Sequence, residues 1–219
     1  ILTPADGKCA AADPLTEEEA VLMLNAAFGG QEGAARPTDA VLTRAQALTM
    51  LDSLSVLLRY NLADAQMPAL LGEELGITEE YLKIQKMRFS SRLNVDVRHD
   101  RKLEQAVTLP RFTLQPLVEN AVIHGLEPKE EGGTLILDVR KTGNYIRIRI
   151  CDNGMGIEKE RLEKIRRRLS EKQPERIGVW NIWQRLSLYT GRDDSLKIMS
   201  KKGAGTIVSI YLHRGEEDV

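Results

Sequence analysis

The chain has 219 residues, 42% of them hydrophobic, so it can bury a core in one large or two small domains, which excludes disorder throughout. A formal net charge of −1 gives no electrostatic case for a nucleic-acid-binding protein, and we expect no nucleic-acid partner. No run of 18 apolar residues and no signal-peptide pattern occurs, which argues against a membrane span or export of this piece. Because the chain begins at Ile1 without a methionine, we expect a fragment, and membrane segments could lie upstream.

The first 37 residues differ from the rest in charge and composition. Six acidic residues against one lysine give residues 1–35 a net charge of −5, which leaves +4 for the remainder. One helix is predicted, in "DPLTEEEAVLMLNAAF", where Thr16 and Glu19 have the spacing of a capping box. The contrast indicates a boundary near Pro37, and residues 1–37 form an acidic, partly helical segment of undefined role.

Residues 38–92 are predicted to form a helical hairpin. From Thr38 to Leu62 apolar residues recur at helical spacing in a wide stripe, which suits packing against a second helix or a second copy of the chain. After Pro68 the stretch "ALLGEELGITEEYLKIQKMRF" is also helical in pattern, and a short break joins the two helices.

From about residue 93 onward, apolar residues recur at every second position, the spacing typical of β-strands. Alternating runs predict strands in "RLNVDVRH", "TLILDVRK" and "YIRIRICD", the last two joined by a turn at "TGN", and a further pair in "SLKIMSKKGAGTIVSIYLHR". Helices are predicted at 111–124, 158–171 and 179–190. One polar face on the strands favours an antiparallel or mixed sheet with helices on its other face, an α+β two-layer sandwich over 93–219. Cys151 ends a strand, a position typical of a buried free thiol, and fits a reducing compartment.

Two stretches combine polar residues with core-type neighbours. In "LQPLVENAVIHG" one helix carries a Glu-Asn pair and His124 among apolar residues. "CDNGMGI" ends a strand with Asp152, an acceptor for an amino group such as that of adenine, and Gly154 and Gly156 permit close approaches that a Cβ would block. Two alternatives stay open: "CDNGMGI" is a tight turn with a solvated Asp, and His124 is favoured at a helix C-terminus by the helix dipole alone.

Two further segments are rich in glycine. "ERIGVWNIWQRL" places Gly178 directly before a helix that contains Asn181, and helix N-termini suit phosphate groups. A glycine at a helix start is also common without any ligand. "KKGAGT" contains Gly205 and Thr206 in a hairpin, and by itself it indicates only a turn.

The combination and order of these four stretches resemble the N, G1, G2 and G3 boxes of the ATPase superfamily that unites gyrase-type topoisomerases and histidine kinases. "LLRYNL", "EELGITEEYLKIQKMRF" and "LQPLVENAVIHGLEPKEEGG" are further similar to the LytS/YesM type of bacterial sensor histidine kinase, over about residues 40–219. The resemblance implies an ATP-binding catalytic domain of the GHKL (Bergerat) type over 93–219, preceded by a dimerisation and connector region over 38–92.

The resemblance also implies ATP and Mg²⁺ as cofactors and a role for each polar residue. Asn120 would bind the Mg²⁺ that bridges the ATP phosphates, since an amide oxygen is a suitable hard ligand. Glu119 would orient or activate the attacking group, His124 would donate a hydrogen bond along the phosphates, and Asp152 would hold the adenine amino group. The other residues implied to surround the nucleotide are Gly154 and Gly156 at its approach, Gly178 and Asn181 at the lid end, and Gly205 and Thr206 at the back. The plain alternatives are that Asn120 caps a neighbouring loop and that Glu119 is merely solvated.

The implied function is that of the cytoplasmic catalytic core of a two-component sensor histidine kinase at the inner face of the cell membrane. It would transfer the γ-phosphate of ATP to a histidine for relay to a response regulator. The expected partners are another kinase chain, in a homodimer or a mixed dimer, and an upstream membrane sensor region.

Several positions depart from the family pattern. The family's acceptor histidine precedes "LLRYNL", but the histidines of this chain are His99, His124 and His213. In addition, Arg176 stands where the family often has glycine, and Ile123 stands where many members have lysine. The acceptor is therefore lost, lies on another chain, or lies upstream of a longer insertion.

The missing acceptor leaves a second function open. The chain could be an ATP-binding pseudokinase or a non-catalytic dimerisation partner of an active kinase. A serine kinase of the anti-sigma-factor type needs no acceptor in its own chain either, but the predicted helices at 38–90 argue against it.

Overall fold

The computed structural model describes residues 44–62, 67–172 and 178–213. Within these ranges the helices are α1 (Arg44–Asn61), α2 (Leu71–Phe89), α3 (Arg101–Ala106), α4 (Leu114–Asn120), α5 (Lys159–Ser170) and α6 (Gly178–Thr190). The strands are β1 (Ala69–Leu70), β2 (Leu93–Arg98), β3 (Thr108–Leu109), β4 (Gly133–Thr142), β5 (Tyr145–Asp152), β6 (Leu196–Lys201) and β7 (Gly205–His213). A 3₁₀ turn (Ser90–Arg92) precedes β2, and a π-helical segment (Ala121–Leu126) continues α4.

Helices α1 and α2 form the predicted hairpin. The Ser53 hydroxyl of α1 donates to the Glu80 carboxylate of α2 at 2.7 Å. Nearer the connection, the Tyr60 hydroxyl of α1 donates to the Glu74 carboxylate of α2. The spacing of these two contacts along both helices shows that the helices run antiparallel.

The start of α2 differs from the prediction. Ala69–Leu70 pairs in antiparallel fashion with Thr108–Leu109, so these two residues form β1 and the helix begins at Leu71. The Leu71 amide donates to the Val107 carbonyl at 2.8 Å, which ties the helix start to the chain before β3. The long-range pairing overrides the helical pattern at residues 69 and 70.

The main sheet is mixed, in the order β2-β4-β5-β7-β6. β2 runs parallel to β4, and the other neighbouring strands are antiparallel. Gly143 and Asn144 form the turn between β4 and β5, and Gly143 has φ +56°, the left-handed conformation that two-residue hairpins require. The predicted α+β sandwich with a mixed sheet is confirmed.

Alternation along the strands separates an apolar face from a polar one. Fully buried residues on the apolar face include Leu135, Leu137, Ile148, Ile150 and Ile210. They share one core with residues of α2, α4 and α6, and burial of each such side chain contributes about 1.5–3 kcal/mol. On the other face, Asp138 pairs with Arg140 at 2.8 Å and with Arg149 at 3.1 Å. This asymmetry fixes the register, because a slip of one residue would turn these charged side chains into the apolar core.

The helix predicted at 111–124 has a different form. Residues 111–113 are a turn in which Phe112 has φ +59°, and α4 begins only at Leu114. The chain then widens into the π-helical segment, where the Glu127 amide donates to the Val122 carbonyl at 2.8 Å. The helices predicted at 158–171 and 179–190 are α5 and α6, while α3 and β3 were not predicted.

Among the described helices, none combines the length and the apolar character that crossing a bilayer requires. The predicted helix around Thr16, Cys9 and Arg176 lie outside the described residues. The buried free thiol predicted at Cys151 is confirmed. The division into segments 1–37, 38–92 and 93–219 stays a prediction.

Candidate functional site

Asp152 lies at the end of β5, in the middle of the sheet, and is fully buried. Its Oδ1 accepts a hydrogen bond from the Gly154 amide at 2.8 Å. Its Oδ2 is buried and makes no hydrogen bond of good geometry among the described residues, although the hydroxyl and the amide of Thr206 interact with the carboxylate. Burial raises the pKa of Asp152, and the nearby Thr206 and Gly154 oppose that rise only in part. A buried acceptor without a partner is costly, and a ligand that donates a hydrogen bond would remove that cost.

Thr206 is the neighbour of Asp152 across the β5–β7 pairing and is 4% exposed. Within the described part of the chain, its Oγ1 is likewise buried and has no hydrogen-bond partner of good geometry. The predicted closeness of Asp152 and Thr206 therefore arises from strand register. Together they offer an acceptor and a hydroxyl, which fits the amino edge of a base such as adenine.

The predicted glycines hold this region together by close contacts of backbone against backbone. A Cβ at Gly154 would lie 2.1 Å from the Gly125 carbonyl oxygen, and one at Gly205 would lie 2.0 Å from the Asp152 carbonyl oxygen. A Cβ at Gly156 would lie 2.0 Å from the Lys201 carbonyl oxygen, and Gly156 and Gly205 both have positive φ. The glycines thus let the turn after β5 pack between the π-helical segment and the β6–β7 hairpin. This packing role does not depend on a ligand.

Gly125 was not among the predicted site residues, although it belongs to the same packing. A Cβ at Gly125 would lie 2.8 Å from Asp152 Oδ1, and the Gly125 carbonyl accepts from the Met155 amide at 2.9 Å. Asn153 was also missed, and its side chain accepts from the Thr134 amide at 2.7 Å. The only sequence signal for either residue is its place beside a predicted one, in "VIHG" and in "DNG".

The predicted polar residues of the Glu-Asn helix lie at its C-terminal end. Glu119 and Asn120 are the last residues of α4, and His124 lies in the π-helical segment; all three are partly exposed. The apolar neighbours on the same helix, Leu117, Val118 and Val122, are buried. A π-helical turn at this place matches the frequent occurrence of such turns at functional sites.

A narrow cleft lies between α4 and the sheet. Its lining residues are Leu117, Asn120, Ala121, Ile150, Ile157, Ile165, Val179, Ile198, Thr206 and Val208. Asn120 and Thr206 are the polar residues of this lining, and aliphatic side chains form the walls. The cavity measures about 20 Å³, roughly the space for one water, so a planar base would have to widen it.

The residues predicted at the lid end begin α6. Gly178 is its first residue and is buried, and Asn181 is partly exposed one turn further on. Val179, between them, lines the cleft, so the start of α6 reaches the same place as Asn120 and Thr206. Residues 173–177, directly before this helix start, lie outside the described residues.

The residues around the cleft fit a nucleotide better than they fit a metal ion held by protein ligands alone. Apolar walls and the incompletely hydrogen-bonded Asp152 carboxylate suit a base, and the described residues contain no group of three or more His, Cys, Asp or Glu that could hold a metal ion. A Mg²⁺ ion bound at Asn120 would take its other ligands from phosphates and water, which is common for this ion.

Comparison with known proteins gives matches over both the helical hairpin and the sandwich. The family described as histidine kinase-, DNA gyrase B- and HSP90-like ATPase matches residues 106–216, and the histidine kinase family matches residues 39–93. The protein YwpD of Bacillus subtilis is 40% identical over 144 residues, which cover 65% of this chain and 49% of YwpD. Sensor protein kinase HptS of Staphylococcus aureus is 30% identical over 177 residues, which cover 79% of this chain and 34% of HptS.

Among solved structures, the blue-light activated histidine kinase of Erythrobacter litoralis is 16% identical, with a TM-score of 0.49 over 92% of this chain and 58% of that one. The chain spans about half or less of the length of the curated relatives YwpD and HptS. The ATPase family nevertheless matches just over half of the chain, across the cleft and its polar residues. The chain therefore belongs to the family of histidine kinase-, DNA gyrase B- and HSP90-like ATPases, and its helical hairpin matches the histidine kinase family.

Proposed function

We propose that this chain is the catalytic core of a sensor histidine kinase that binds Mg²⁺-ATP in the cleft between α4 and the sheet. The observation that carries the proposal is the fully buried carboxylate of Asp152, whose Oδ2 makes no hydrogen bond of good geometry among the described residues, beside Thr206, which with Asn120 lines an apolar cleft. Family membership supports nucleotide binding, and Mg²⁺ binding is inferred from the amide of Asn120.

Each residue has a role in this proposal. Asp152 accepts from the adenine amino group, Thr206 lies behind the base, and Asn120 provides a ligand to Mg²⁺. Glu119 orients the attacking group, and His124 donates toward the phosphates. The remaining contacts come from Gly154, Gly156, Gly178, Asn181 and Gly205. ATP supplies the phosphoryl group, and the protein contributes positioning and electrostatics, which dominate phosphoryl transfer.

The phosphate would pass to a histidine and from there to a response regulator. The relative HptS is named a sensor protein kinase, and the histidine kinase family matches the hairpin of this chain, which supports this proposal. His99 is a poor acceptor, because its Nε2 contacts the Glu104 carboxylate at 2.7 Å and its Nδ1 is buried. His124 lies in the π-helical segment that follows Asn120, a residue of the cleft lining, and the side chain of His213 lies outside the described part of the chain. We therefore place the acceptor on another chain or in a part of the protein upstream of this sequence.

A second candidate function is that of an ATP-binding pseudokinase or a non-catalytic dimerisation partner. The observation that favours it is the absence of a histidine before residue 99. In either case we propose a homodimer or a mixed kinase dimer formed through α1, whose leucines at 48 and 51 are each 54% exposed. We also propose a cytoplasmic location at the inner face of the membrane, with the sensor region upstream.

Incubation of the purified chain with Mg²⁺ and ATP labelled at the γ-phosphate separates these functions. Acid-labile, base-stable label on the chain would identify a histidine kinase that phosphorylates itself. Label that appears only on an added partner chain, one that carries the acceptor histidine but cannot itself bind ATP, would identify transfer between chains. Absence of label in both cases, with ATP binding retained, would identify the pseudokinase.

A further inference from the structure

Glu74 of α2 is a carboxylate with 1% of its surface exposed, and four donors surround it. Its Oε1 accepts from the Tyr60 hydroxyl and from the Phe112 amide, the latter at 2.7 Å. Its Oε2 accepts from the amides of Thr113 and Leu114, both at 2.8 Å. Both carboxylate oxygens are thus saturated, and three of the donors are consecutive amides at the start of α4.

Glu74 replaces the local cap that α4 lacks. The first amides of a helix have no partner within the helix, and a side chain just before the helix usually accepts from them. Thr113 holds that position, but its hydroxyl donates to the Pro110 carbonyl at 2.6 Å instead of capping the helix. The cap of α4 therefore comes from another helix, about 40 residues away in sequence.

The turn that Glu74 holds is strained. Phe112 has φ +59°, a conformation that bulky residues rarely adopt and that the surrounding structure must hold in place. The Arg185 guanidinium of α6 donates to the carbonyls of Arg111 and Phe112, each at 2.8 Å. The turn is therefore held from one side by Glu74 of α2 and from the other by Arg185 of α6, the helix whose first residues reach the cleft.

Tyr60 connects the end of α1 to the same turn. Its ring packs edge-on against Phe112, with centroids 5.2 Å apart, and the Arg111 guanidinium lies 4.8 Å above its ring. Burial and the Glu74 carboxylate raise the pKa of Tyr60, so its hydroxyl stays protonated and donates. A displacement at the end of α1 would therefore act directly on the carboxylate that caps α4.

We propose that Glu74 is a positioning residue that sets the place of α4, and thereby of Glu119 and Asn120, in response to the end of α1 through Tyr60. The distance is short, since the seven residues of α4 span about 10 Å at 1.5 Å per residue. Leu117 and Val118 are buried, so the helix moves as a packed body. The inference rests on the proposed function in one respect, namely that the C-terminal end of α4 faces the nucleotide.

The test compares two variants that alter this contact, Tyr60→Phe and Glu74→Gln, with two matched controls. Ser53→Ala removes the other hydroxyl–carboxylate hydrogen bond between α1 and α2, and Glu80→Gln removes the charge of its acceptor; this contact does not reach α4. For each folded variant the melting temperature, the Kd for Mg²⁺-ATP and the hydrogen exchange of the amides at 112–114 are measured.

We expect Tyr60→Phe to weaken ATP binding about fivefold, which is less than the full loss of one hydrogen bond to a charged group because the contact acts on the cleft through α4, and to speed exchange at 112–114. The controls should lower the melting temperature without changing the Kd or that exchange. If Glu74→Gln does not fold, Tyr60→Phe carries the test alone. A lowered melting temperature with an unchanged Kd in Tyr60→Phe would overturn the positioning role and leave the proposed function intact. Failure of the unaltered chain to bind ATP would overturn both.

Discussion

Asp152 and Asn120 differ in how much of their role follows from the structure. Asp152 is buried, has an oxygen that makes no hydrogen bond of good geometry in the described part of the chain, and is surrounded by glycine contacts that leave no room for larger residues. Asn120 is partly exposed at a helix end, and the lining of the cleft is the evidence for its role. At the residue scale, the base-binding end of the proposed site is therefore better supported than the metal-binding end.

Asp152 should become protonated at a pH that is unusually high for an aspartate, and its protonation should weaken binding of the base. Burial raises the pKa of Asp152. As the pH falls, the carboxylate therefore takes up its proton at a pH above about 3.9, the pKa of an ordinary aspartate. The affinity for adenosine should thus decrease when the pH is lowered from about 7.5 toward that pKa, and a titration series by calorimetry measures it. The same shift makes the contribution of Asp152 to the free energy of unfolding largest below about 3.9 and lost as the pH rises through the raised pKa.

The variant Asp152→Asn has no titrating carboxyl at this place, so it serves as the control for the pH series. Its affinity for adenosine should not change over the same range. Equal pH dependence in the two proteins would assign the effect to another group.

Asn120→Ala should remove the Mg²⁺ dependence of ATP binding. We expect the Kd with Mg²⁺ to rise about tenfold, to the value measured with a chelator, because a metal ligand is lost. Asn94→Ala, at an exposed position of β2, is the control and should bind as the unaltered chain does. A Kd that still improves on addition of Mg²⁺ in Asn120→Ala would exclude Asn120 as the ligand.

At the scale of elements, periodicity predicted the long strands and α5 and α6 because these bury one continuous face. It failed where long-range contacts decide the local structure. Ala69–Leu70 has a helical pattern but pairs with β3, and the turn at Phe112 exists because Glu74 and Arg185 hold it. Residue chemistry indicated Asp152, Gly154 and Gly156, and resemblance gave the full set of roles, whereas Gly125 and Glu74 act through contacts that no spacing in the sequence indicates.

The close backbone contacts of the glycines predict how the free energy of unfolding changes when a glycine is replaced. Gly154→Ala should lower the free energy of unfolding by more than about 2 kcal/mol, because its Cβ would overlap the Gly125 carbonyl, a backbone atom that cannot move aside. Gly76→Ala is the matched control, since nothing lies within 4 Å of its Cβ position inside α2. It should raise that free energy by about 1 kcal/mol through helix propensity.

Chemical denaturation of both glycine variants measures these changes. A Gly154→Ala protein as stable as the unaltered chain would show that the turn after β5 accommodates a Cβ at residue 154, which would contradict the packing described above.

At the scale of the whole molecule, α1 and α2 join the sandwich through one core, so the hairpin and the cleft are mechanically connected. The outer side of α1 still exposes Leu48 and Leu51. Exposed leucines on one helix favour association, and a second kinase chain is the partner that we propose.

Replacing both leucines should therefore separate the proposed dimer. We expect Leu48→Glu/Leu51→Glu to sediment as a monomer, whereas Leu188→Glu, at a leucine of α6 that is 78% exposed, should sediment as the unaltered chain does. Analytical ultracentrifugation measures the mass of each. A dimer that persists in the double variant would place the contact elsewhere.

The central claim is that the cleft beside Asp152 binds adenine, and calorimetric titration of the unaltered chain with Mg²⁺-ATP and Mg²⁺-GTP tests it most directly. We predict binding of ATP in preference to GTP and a smaller preference in Asp152→Asn, because the amide can donate to the guanine O6 that the carboxylate repels. Absence of ATP binding to the unaltered chain, or equal weakening of ATP and GTP in Asp152→Asn, would contradict the account.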